Sequence, residues 1–381
     1  MTASGLAFYQ AALDGLAESS RLRSLAPRQG LDFTSNDYLG LASTPRLGQA
    51  VVAAIARGTP VGAGGSRLLR GNAPEHEALE ARAAAFFHAE RTLFFGSGYV
   101  ANYALLSTLP QTGDLLVLDA LVHASAHEGA RAGRAQFAKA AHNDAGAFED
   151  AVRAFRDGGG RGRVWLAVES LYSMDGDRAP LDELVAIAER HDAMLLIDEA
   201  HATGVYGPDG RGLAASLEGR PNVIALHTCG KALGGAGALV SGPGVLCEFL
   251  LNRSRPFIFA TAPSPLMAVA ALEALEILEE EPERRERLAH LIAVAGRAAL
   301  ASGAAAPTGS QILPVIVGDD RAAVGLAAGL QRRGFDVRAI RPPTVPDGTA
   351  RLRISITLNV EEHAVGALFA ALAEERDALA A

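Results

Sequence analysis

The sequence has 381 residues, of which 49% are hydrophobic and 20% charged, and its net charge at pH 7 is −8. This length and composition predict about two domains with large cores and argue against disorder. The acidic balance argues against a nucleic-acid partner, and the absence of any membrane-length apolar run argues against a membrane protein.

The middle of the chain alternates short apolar runs with helical patterns. Strands are predicted at Arg91–Phe95, Leu115–Asp119, Val164–Glu169, Met194–Asp198 and Val223–Thr228. Helices are predicted at Tyr99–Leu109, Gly146–Asp157 and Leu181–His191. This alternation is typical of crossover units and predicts an α/β fold with a mainly parallel sheet. Parallel strands are covered on both faces, which explains why the runs lack polar alternation.

The end of the chain has a different pattern, which predicts a smaller α+β unit. It begins with one long helix from about Leu266 to His290. Further elements are predicted as strand Ile312–Val317, helix Ala322–Arg333, strands Phe335–Ile340 and Arg351–Thr357, and helix Val360–Ala380. We therefore expect an N-terminal segment at residues 1–45, a large domain at 46–270 and a small C-terminal domain at 271–381.

The cysteines and the first ten residues bear on metal binding and on the cellular location of the protein. Cys229 and Cys247 are the only cysteines, so the chain has neither a disulfide framework nor zinc-ligand spacing, and we expect no metal. The stretch Met1–Gln10 lacks the basic start and apolar core of a signal peptide. We expect a soluble, cytoplasmic protein.

Lysine is rare in this sequence. Only Lys139 and Lys231 occur beside 33 arginines, which a coding bias towards arginine explains. Lysine can form a Schiff base and arginine cannot. A lysine in a sequence that otherwise uses arginine is therefore a candidate for a chemical role. Lys139 lies in an ordinary polar stretch, whereas Lys231 lies among glycines and small residues in Thr228–Gly235.

The segment Gly96–Ala101 follows a predicted strand and opens a predicted helix. It matches the dinucleotide-binding fingerprint with alanine in the third place, and Asp119 lies near the expected acidic position. More generally, glycines and a helix N-terminus form an anion site. A tight turn that needs glycine for its geometry explains the motif equally well. On this motif alone, an NAD-dependent dehydrogenase and another phosphate-binding protein stay open.

The sequence Asp198-Glu-Ala-His201 is found in a helicase family, but the chain has no complete phosphate-binding loop of the nucleotide-hydrolysing type. Asp198 ends a buried strand, where a carboxylate needs a partner. A protonated pyridine nitrogen would provide one, and helix capping is the alternative. Gly96, Glu169 and Thr228 also lie where strands end, the edge at which open α/β sheets bind ligands. His123 follows a strand too and could stack on a flat ring, although a polar loop histidine is commoner.

Together these segments resemble the α-oxoamine synthases, a family within the fold-type I class of pyridoxal-phosphate (PLP) enzymes. The matching stretches are Ser35–Leu41, Gly62–Gly71, Gly96–Asn102, His142–Asp144, Glu169–Asp177, Asp198–Gly204, Thr228–Gly234 and Arg341–Ser355. They occur in the same order almost from end to end, which is far more specific than any single motif. The resemblance implies a PLP-dependent transferase fold with a mainly parallel seven-stranded sheet, flanking helices and a smaller α+β C-terminal domain.

The resemblance also implies roles for individual residues. Lys231 holds the cofactor and moves the Cα proton, Asp198 pairs with the pyridine nitrogen, and His123 stacks on the ring and contacts substrate. The remaining cofactor contacts are Gly98, Tyr99, Ser173, His201, Thr228 and Thr261, with Thr261 reaching a neighbouring subunit of a homodimer. The remaining substrate contacts are Arg23, Thr344 and Arg353.

Two distinguishing stretches, Gly65–Leu69 and Ile340–Pro346, narrow the resemblance. They imply the family member that condenses L-alanine with a pimeloyl thioester of CoA or acyl carrier protein, with loss of CO2. Other members, such as 2-amino-3-ketobutyrate CoA ligase and 5-aminolevulinate synthase, are alternatives. An NAD-dependent dehydrogenase leaves Lys231, Asp198 and His201 unexplained, and a non-catalytic PLP-binding protein does not need the substrate residues.

Overall fold

The structure is a computed structural model that describes residues 3–304 and 306–380. Its strands, in chain order, are β1 (Leu31–Asp32), β2 (Arg91–Phe95), β3 (Leu115–Asp119), β4 (Gln136–Ala140), β5 (Val164–Glu169), β6 (Ala193–Asp198), β7 (Val223–Thr228), β8 (Ala238–Gly242), β9 (Ile312–Gly318), β10 (Phe335–Asp336), β11 (Ala339–Ile340) and β12 (Ala350–Ser355).

The α-helices, in chain order, are α1 (Ala3–Glu18), α2 (Pro45–Ala56), α3 (Pro74–Phe86), α4 (Gly98–Thr108), α5 (Ala124–Ala132), α6 (Ala145–Asp157), α7 (Leu181–Arg190), α8 (Gly244–Arg253), α9 (Arg255–Ile258), α10 (Pro265–Glu280), α11 (Glu283–Ala301), α12 (Asp320–Arg332) and α13 (Glu362–Ala380). None of these helices is both long and apolar enough to cross a bilayer.

The chain divides into two compact units. The larger comprises Asn36–Ser173 and Asp177–Glu286, and the smaller comprises the chain up to Ser35, Met174–Gly176 and the chain from Arg287 onwards. The domain boundaries expected from the sequence, after residues 45 and 270, stay a prediction.

The larger unit is built around a seven-stranded sheet with the order β2-β8-β7-β6-β5-β3-β4. Strand β8 runs antiparallel to both its neighbours, and the remaining pairs are parallel. Every residue of β3, β5 and β7 is buried, as expected for strands that helices cover on both faces. The predicted mainly parallel sheet with flanking helices is confirmed.

Local capping fixes where several helices begin. Ser97 ends the loop after β2, and its Oγ accepts a hydrogen bond of 3.2 Å from the backbone N–H of Val100, which starts α4. Asp144 caps α6 in the same way through the N–H of Ala147 at 3.0 Å. These side chains satisfy donors that a helix N-terminus leaves unpaired. The helix that follows the glycine-rich loop therefore starts at a defined residue beside the end of the sheet.

The smaller unit contains an antiparallel sheet of order β11-β12-β9 and a short parallel pair of β1 and β10. Two predictions in this part of the chain are wrong. The expected helix from Leu266 to His290 is two helices, α10 and α11, which are separated at Glu281 and Pro282. Proline has no N–H to continue a helix and is tolerated only near a helix start. The expected strand Phe335–Ile340 is two short strands, β10 and β11, which pair with different partners.

Candidate active site

The carboxyl ends of the parallel strands in the larger unit surround a cavity. Its polar lining comes from Asn102 on α4, His123 after β3, Glu169 at the end of β5 and Asp198 at the end of β6. Val122 and Ala126 contribute part of its apolar lining. A polar cluster at this edge agrees with the usual ligand position of an open α/β sheet.

Asp198 is held by two donors. Its Oδ2 accepts a hydrogen bond of 2.6 Å from the side-chain amide of Asn102. Its Oδ1 accepts one of 2.8 Å from the backbone N–H of Ala200. These donors fix the position of the carboxylate at the cavity. The sequence pattern did not single out Asn102, because its contact with Asp198 joins two segments 96 residues apart.

Lys231 lies in the turn after β7, and its amine is part of a hydrogen-bonded chain. Its Nζ is 2.7 Å from Nε2 of His201. The other ring nitrogen of His201, Nδ1, is 2.6 Å from the hydroxyl of Tyr38. His201 is buried, so this chain fixes the position of the lysine amine and offers it a proton partner. Tyr38 was not predicted as a site residue, although it lies in the stretch Ser35–Leu41.

The glycine-rich loop meets the end of β7. A Cβ at Gly98 would lie 2.5 Å from Cγ2 of Thr228, a distance that real side chains do not tolerate. Glycine at this position therefore lets the N-terminus of α4 approach Thr228 closely. The exposed N–H groups at such a terminus suit an anion such as phosphate. The next residue, Tyr99, is partly exposed, and its hydroxyl donates a hydrogen bond to Glu128.

His123 caps helix α5 with its own side chain. Its Nδ1 is 2.7 Å from Oγ of Ser125 and accepts a longer hydrogen bond from the N–H of the same residue. Burial lowers the pKa of His123, and the charge of Lys231 lowers it further against the opposing effect of Asp198. We infer that the ring is neutral at pH 7, which leaves a flat, uncharged face beside the cavity.

Two other predicted cofactor residues differ in placement. Ser173 is buried, and its N–H donates a hydrogen bond of 3.1 Å to Oε2 of Glu169, so it is tied to the cavity wall. Thr261 is exposed, forms an isolated bridge with Ser66 and does not line the cavity within this chain. Its predicted contact with a neighbouring subunit stays a prediction.

The three predicted substrate residues that remain belong to the smaller unit. Nη2 of Arg23 lies 3.5 Å from the hydroxyl of Thr344, so the structure brings these two together. Arg353 is buried and donates a hydrogen bond of 2.7 Å to Oγ of Ser355. Its neighbour Arg351 is also buried but forms an ion pair of 2.5 Å with Asp175, which gives it a structural partner.

Asp119, the acidic residue of the dinucleotide hypothesis, is engaged elsewhere. It is fully buried, and it accepts hydrogen bonds of 2.8 Å from the N–H groups of Leu121 and Asn143 and from Nδ1 of His142. Nε2 of His142 is 2.9 Å from Asp177. Burial opposes protonation of this ring, but the two carboxylates outweigh it and raise the pKa of His142 to about 10. Asp119 is therefore buried and engaged by three donors, which does not favour its use in recognising a ribose.

These residues fit pyridoxal phosphate. Asp198 offers a fixed carboxylate for a ring nitrogen, and Lys231 offers an amine for the aldehyde. The start of α4 offers backbone N–H donors for a phosphate, and Gly98 lets this helix start lie close to Thr228. The neutral ring of His123 offers a flat surface beside them. The fold and this set of side chains define a PLP-dependent transferase of fold type I.

Comparison with known proteins gives the same class. The model of the aminotransferase class I and II family matches residues 28–368. An 8-amino-7-oxononanoate synthase from Anaeromyxobacter dehalogenans is 42% identical over 375 residues, which cover 95% of this chain and 93% of that protein. One from Aromatoleum aromaticum is 43% identical over 333 residues, covering 87% and 85%. The chain belongs to the aminotransferase class I and II family and, within it, to the α-oxoamine synthases.

Solved structures support the assignment. A serine palmitoyltransferase from S. paucimobilis with bound PLP–myriocin aldimine superposes with a TM-score of 0.90 at 27% identity, covering 99% of this chain and 98% of that one. An 8-amino-7-oxononanoate synthase from Francisella tularensis superposes with a TM-score of 0.77 at 28% identity, covering 92% and 99%. The fold-type I architecture expected from the resemblance is confirmed, and the dehydrogenase alternative is not favoured.

Proposed function

We propose that the chain catalyses the 8-amino-7-oxononanoate synthase reaction, the PLP-dependent condensation of L-alanine with a pimeloyl thioester. A carbon–carbon bond forms between the alanine Cα and the thioester carbonyl, the thiol carrier leaves, and the alanine carboxylate is lost as CO2. The observation that carries the proposal is the position of Lys231 beside His201, in a chain about 42% identical to synthases of this name over most of its length. The charges of Lys231 and Asp198 both act on His123 and on Glu169, which line the cavity.

The cofactor would be held by groups from several strand ends. Lys231 would bind its aldehyde carbon, Asp198 its ring nitrogen and His201 its ring hydroxyl. Bound there, PLP supplies an electron sink that accepts the electron pair left when the alanine Cα–H bond breaks. The start of α4, at Gly98 and Tyr99, would bind the phosphate, with Ser173 and Thr228 completing the polar surroundings.

The protein's own groups would handle the proton and the substrate. Lys231 would take the Cα proton as a neutral amine and return it to the product. His201, which is hydrogen-bonded to both Lys231 and Tyr38, would orient that amine. Asp198, which Asn102 and Ala200 hold in place, would pair with the ring nitrogen and keep it protonated.

Substrate recognition would use the remaining predicted residues. Arg353 would bind the alanine carboxylate, since an arginine guanidinium matches a carboxylate with two parallel hydrogen bonds. Arg23 and Thr344, which contact each other, would contact the substrate together, and His123 would contact it over the cofactor ring.

The proposal extends to the acyl carrier, the oligomeric state and the cellular location of the enzyme. The pimeloyl group would arrive on CoA or on acyl carrier protein. The enzyme would act as a cytoplasmic homodimer, in which Thr261 of one subunit reaches the cofactor phosphate of the other. The exposure of Thr261 and its absence from the cavity wall of its own chain support that arrangement.

The visible absorption spectrum of purified protein with PLP tests the proposal. We expect a yellow protein whose band shifts on addition of L-alanine but not of glycine or L-serine. Addition of a pimeloyl thioester should then release CO2 and free thiol in equal amounts. A response to glycine or serine alone would assign another α-oxoamine synthase reaction. A protein that stays colourless with PLP would refute the cofactor assignment.

A further inference from the structure

Glu169 is the one carboxyl group of the cavity wall to which the proposed function gives no role. Strands β5 and β6 are parallel neighbours, and Glu169 is directly opposite Asp198 in their register. Residues opposite each other on adjacent strands point to the same face of a sheet. Both side chains line the same cavity, and Glu169 is only 2% exposed. Two carboxyl groups therefore lie side by side at the end of the sheet, out of water.

The two carboxyl groups differ in their hydrogen bonds. Asp198 accepts hydrogen bonds on both oxygens, from Asn102 and Ala200. Glu169 accepts one from Ser173 on Oε2, whereas Oε1 is buried and has no partner among the described residues. Neighbouring carboxylates that are shielded from water do not both ionise readily. Oε1 of Glu169 is the oxygen that no donor among the described residues reaches, so Glu169 is the group that keeps a proton.

The charges around Glu169 agree with this assignment. Burial and the charge of Asp198 raise the pKa of Glu169 to about 8, against the opposing effects of Lys231 and of the backbone N–H groups of Ser173 and His123. The phenol of Tyr172 also lies near enough to interact electrostatically with Glu169. Lys231 is therefore a cation that opposes the protonation of Glu169, and burial and Asp198 outweigh it.

We propose that Glu169 is a positioning residue of this site, a carboxyl group that stays protonated beside Asp198 and anchors the Ser173 segment to the cavity wall. This inference rests on the proposed function, because the segment it anchors is one of the proposed cofactor contacts. The proton on Glu169 leaves a single negative charge, that of Asp198, at the end of the sheet. That carboxylate would then be available for the ring nitrogen of the bound cofactor. The proton also makes Glu169 a hydrogen-bond donor directed into the cavity.

Three variants distinguish the protonation of Glu169 from its hydrogen bond to the Ser173 N–H. Glu169→Gln keeps the shape, an acceptor for Ser173 and a neutral charge. We expect it to bind PLP within about twofold of the unmodified protein. Glu169→Ala removes the carboxyl oxygen that accepts the hydrogen bond of the Ser173 N–H. We expect the loss of this buried hydrogen bond to lower PLP affinity by about tenfold to hundredfold. Glu218→Gln is the control for a buried carboxyl group outside the cavity. One oxygen of Glu218 is buried without a partner among the described residues, and the other forms an ion pair of 2.7 Å with Arg211.

The decisive measurement is infrared spectroscopy of cofactor-free protein as a function of pH. The C=O stretch of a protonated carboxylic acid is distinct from the carboxylate bands. We expect such a band at pH 7, titrating near pH 8, with part of it missing in Glu169→Gln. A spectrum unchanged by that substitution would overturn the protonated assignment. PLP affinity lowered as much in Glu169→Gln as in Glu169→Ala would overturn it as well, since the neutral isostere should suffice.

PLP binding and the infrared band together distinguish a failure of the proposed function from a failure of the role proposed for Glu169. If the unmodified protein binds no PLP, the proposed function fails, while the infrared band still decides the protonation of Glu169. If PLP binds normally to all three variants, the anchoring role of Glu169 fails and the proposed function stands. Glu218→Gln should leave PLP affinity unchanged. A loss of PLP affinity in Glu218→Gln would mean that PLP binding responds to the loss of a buried carboxyl group outside the cavity. The specific role of Glu169 would then be refuted.

Discussion

Replacement of His142 by glutamine should remove a large, pH-dependent part of the stability of the protein. The ring bridges Asp119 at 2.8 Å and Asp177 at 2.9 Å, and its side chain is 23% exposed. A pKa raised from 6.5 to about 10 corresponds to at most about 5 kcal/mol of stabilisation when the ring is protonated, at about 1.4 kcal/mol per pKa unit. With some solvent screening we expect about 2–4 kcal/mol.

The pH dependence follows from the sign of this shift. The folded protein holds the proton more tightly than the unfolded chain, so this stabilisation is complete below the unfolded pKa of 6.5 and is lost as pH rises through about 10. The difference in unfolding free energy between the unmodified protein and His142→Gln should shrink by about 2–3 kcal/mol from pH 6.5 to about pH 9.5.

Urea unfolding followed by circular dichroism at several pH values measures this difference. His290→Gln is the control, because His290 pairs with Glu362 at 2.9 Å on the surface, where both side chains are 60% exposed. It should change stability by less than about 0.5 kcal/mol at every pH. A His142→Gln difference that stays constant with pH would refute the reasoning, since it would mean that the ring carries no extra proton in the folded protein.

Three further substitutions test the candidate site. Lys231→Ala should fold but lose at least about a hundredfold in turnover, measured as CO2 release; turnover that survives would remove the lysine from its role. Asp198→Asn should still bind PLP but exchange the Cα proton of alanine about a hundredfold more slowly, measured by NMR in deuterated water; an unchanged rate would exclude pairing with the ring nitrogen. Gly98→Ala should weaken PLP binding and cost about 1–3 kcal/mol in urea unfolding. Adding Thr228→Ser, which removes the methyl group 2.5 Å away, should restore most of the loss, and no recovery would contradict the steric explanation.

The strands and the residues at their ends were predictable because each depends on a local pattern. Asp198 closes a continuous apolar run, and Thr228 closes the next one, so both positions at the edge of the sheet follow from the sequence. Strands β4 and β8 were not predicted. Strand β4 lies at the edge of the sheet with three of its five residues exposed, and β8 is a short run flanked by glycines. Neither carries a pattern that separates it from a loop.

The partners inside the site could not be predicted in the same way. The contacts of Asn102 with Asp198 and of Tyr38 with His201 join segments 96 and 163 residues apart. Such pairs depend on strand order and on where each helix begins, which no local periodicity encodes. The break at Pro282 is the opposite case. The proline is visible in the sequence, but the apolar pattern continues past it and predicts one helix where the structure has two.

The scarcity of lysine makes the protein unusually simple to label. Lys139 is exposed on the edge strand β4, and Lys231 is half-buried in the turn after β7. Amine-reactive reagents therefore meet only these two side chains and the terminal amine. With Lys231 occupied by an aldehyde cofactor, a dye or a solid support would attach to the side chain of Lys139 alone. A Lys139→Arg variant would keep the surface charge and leave Lys231 as the single reactive side chain, so that any modified lysine would report the state of the site directly.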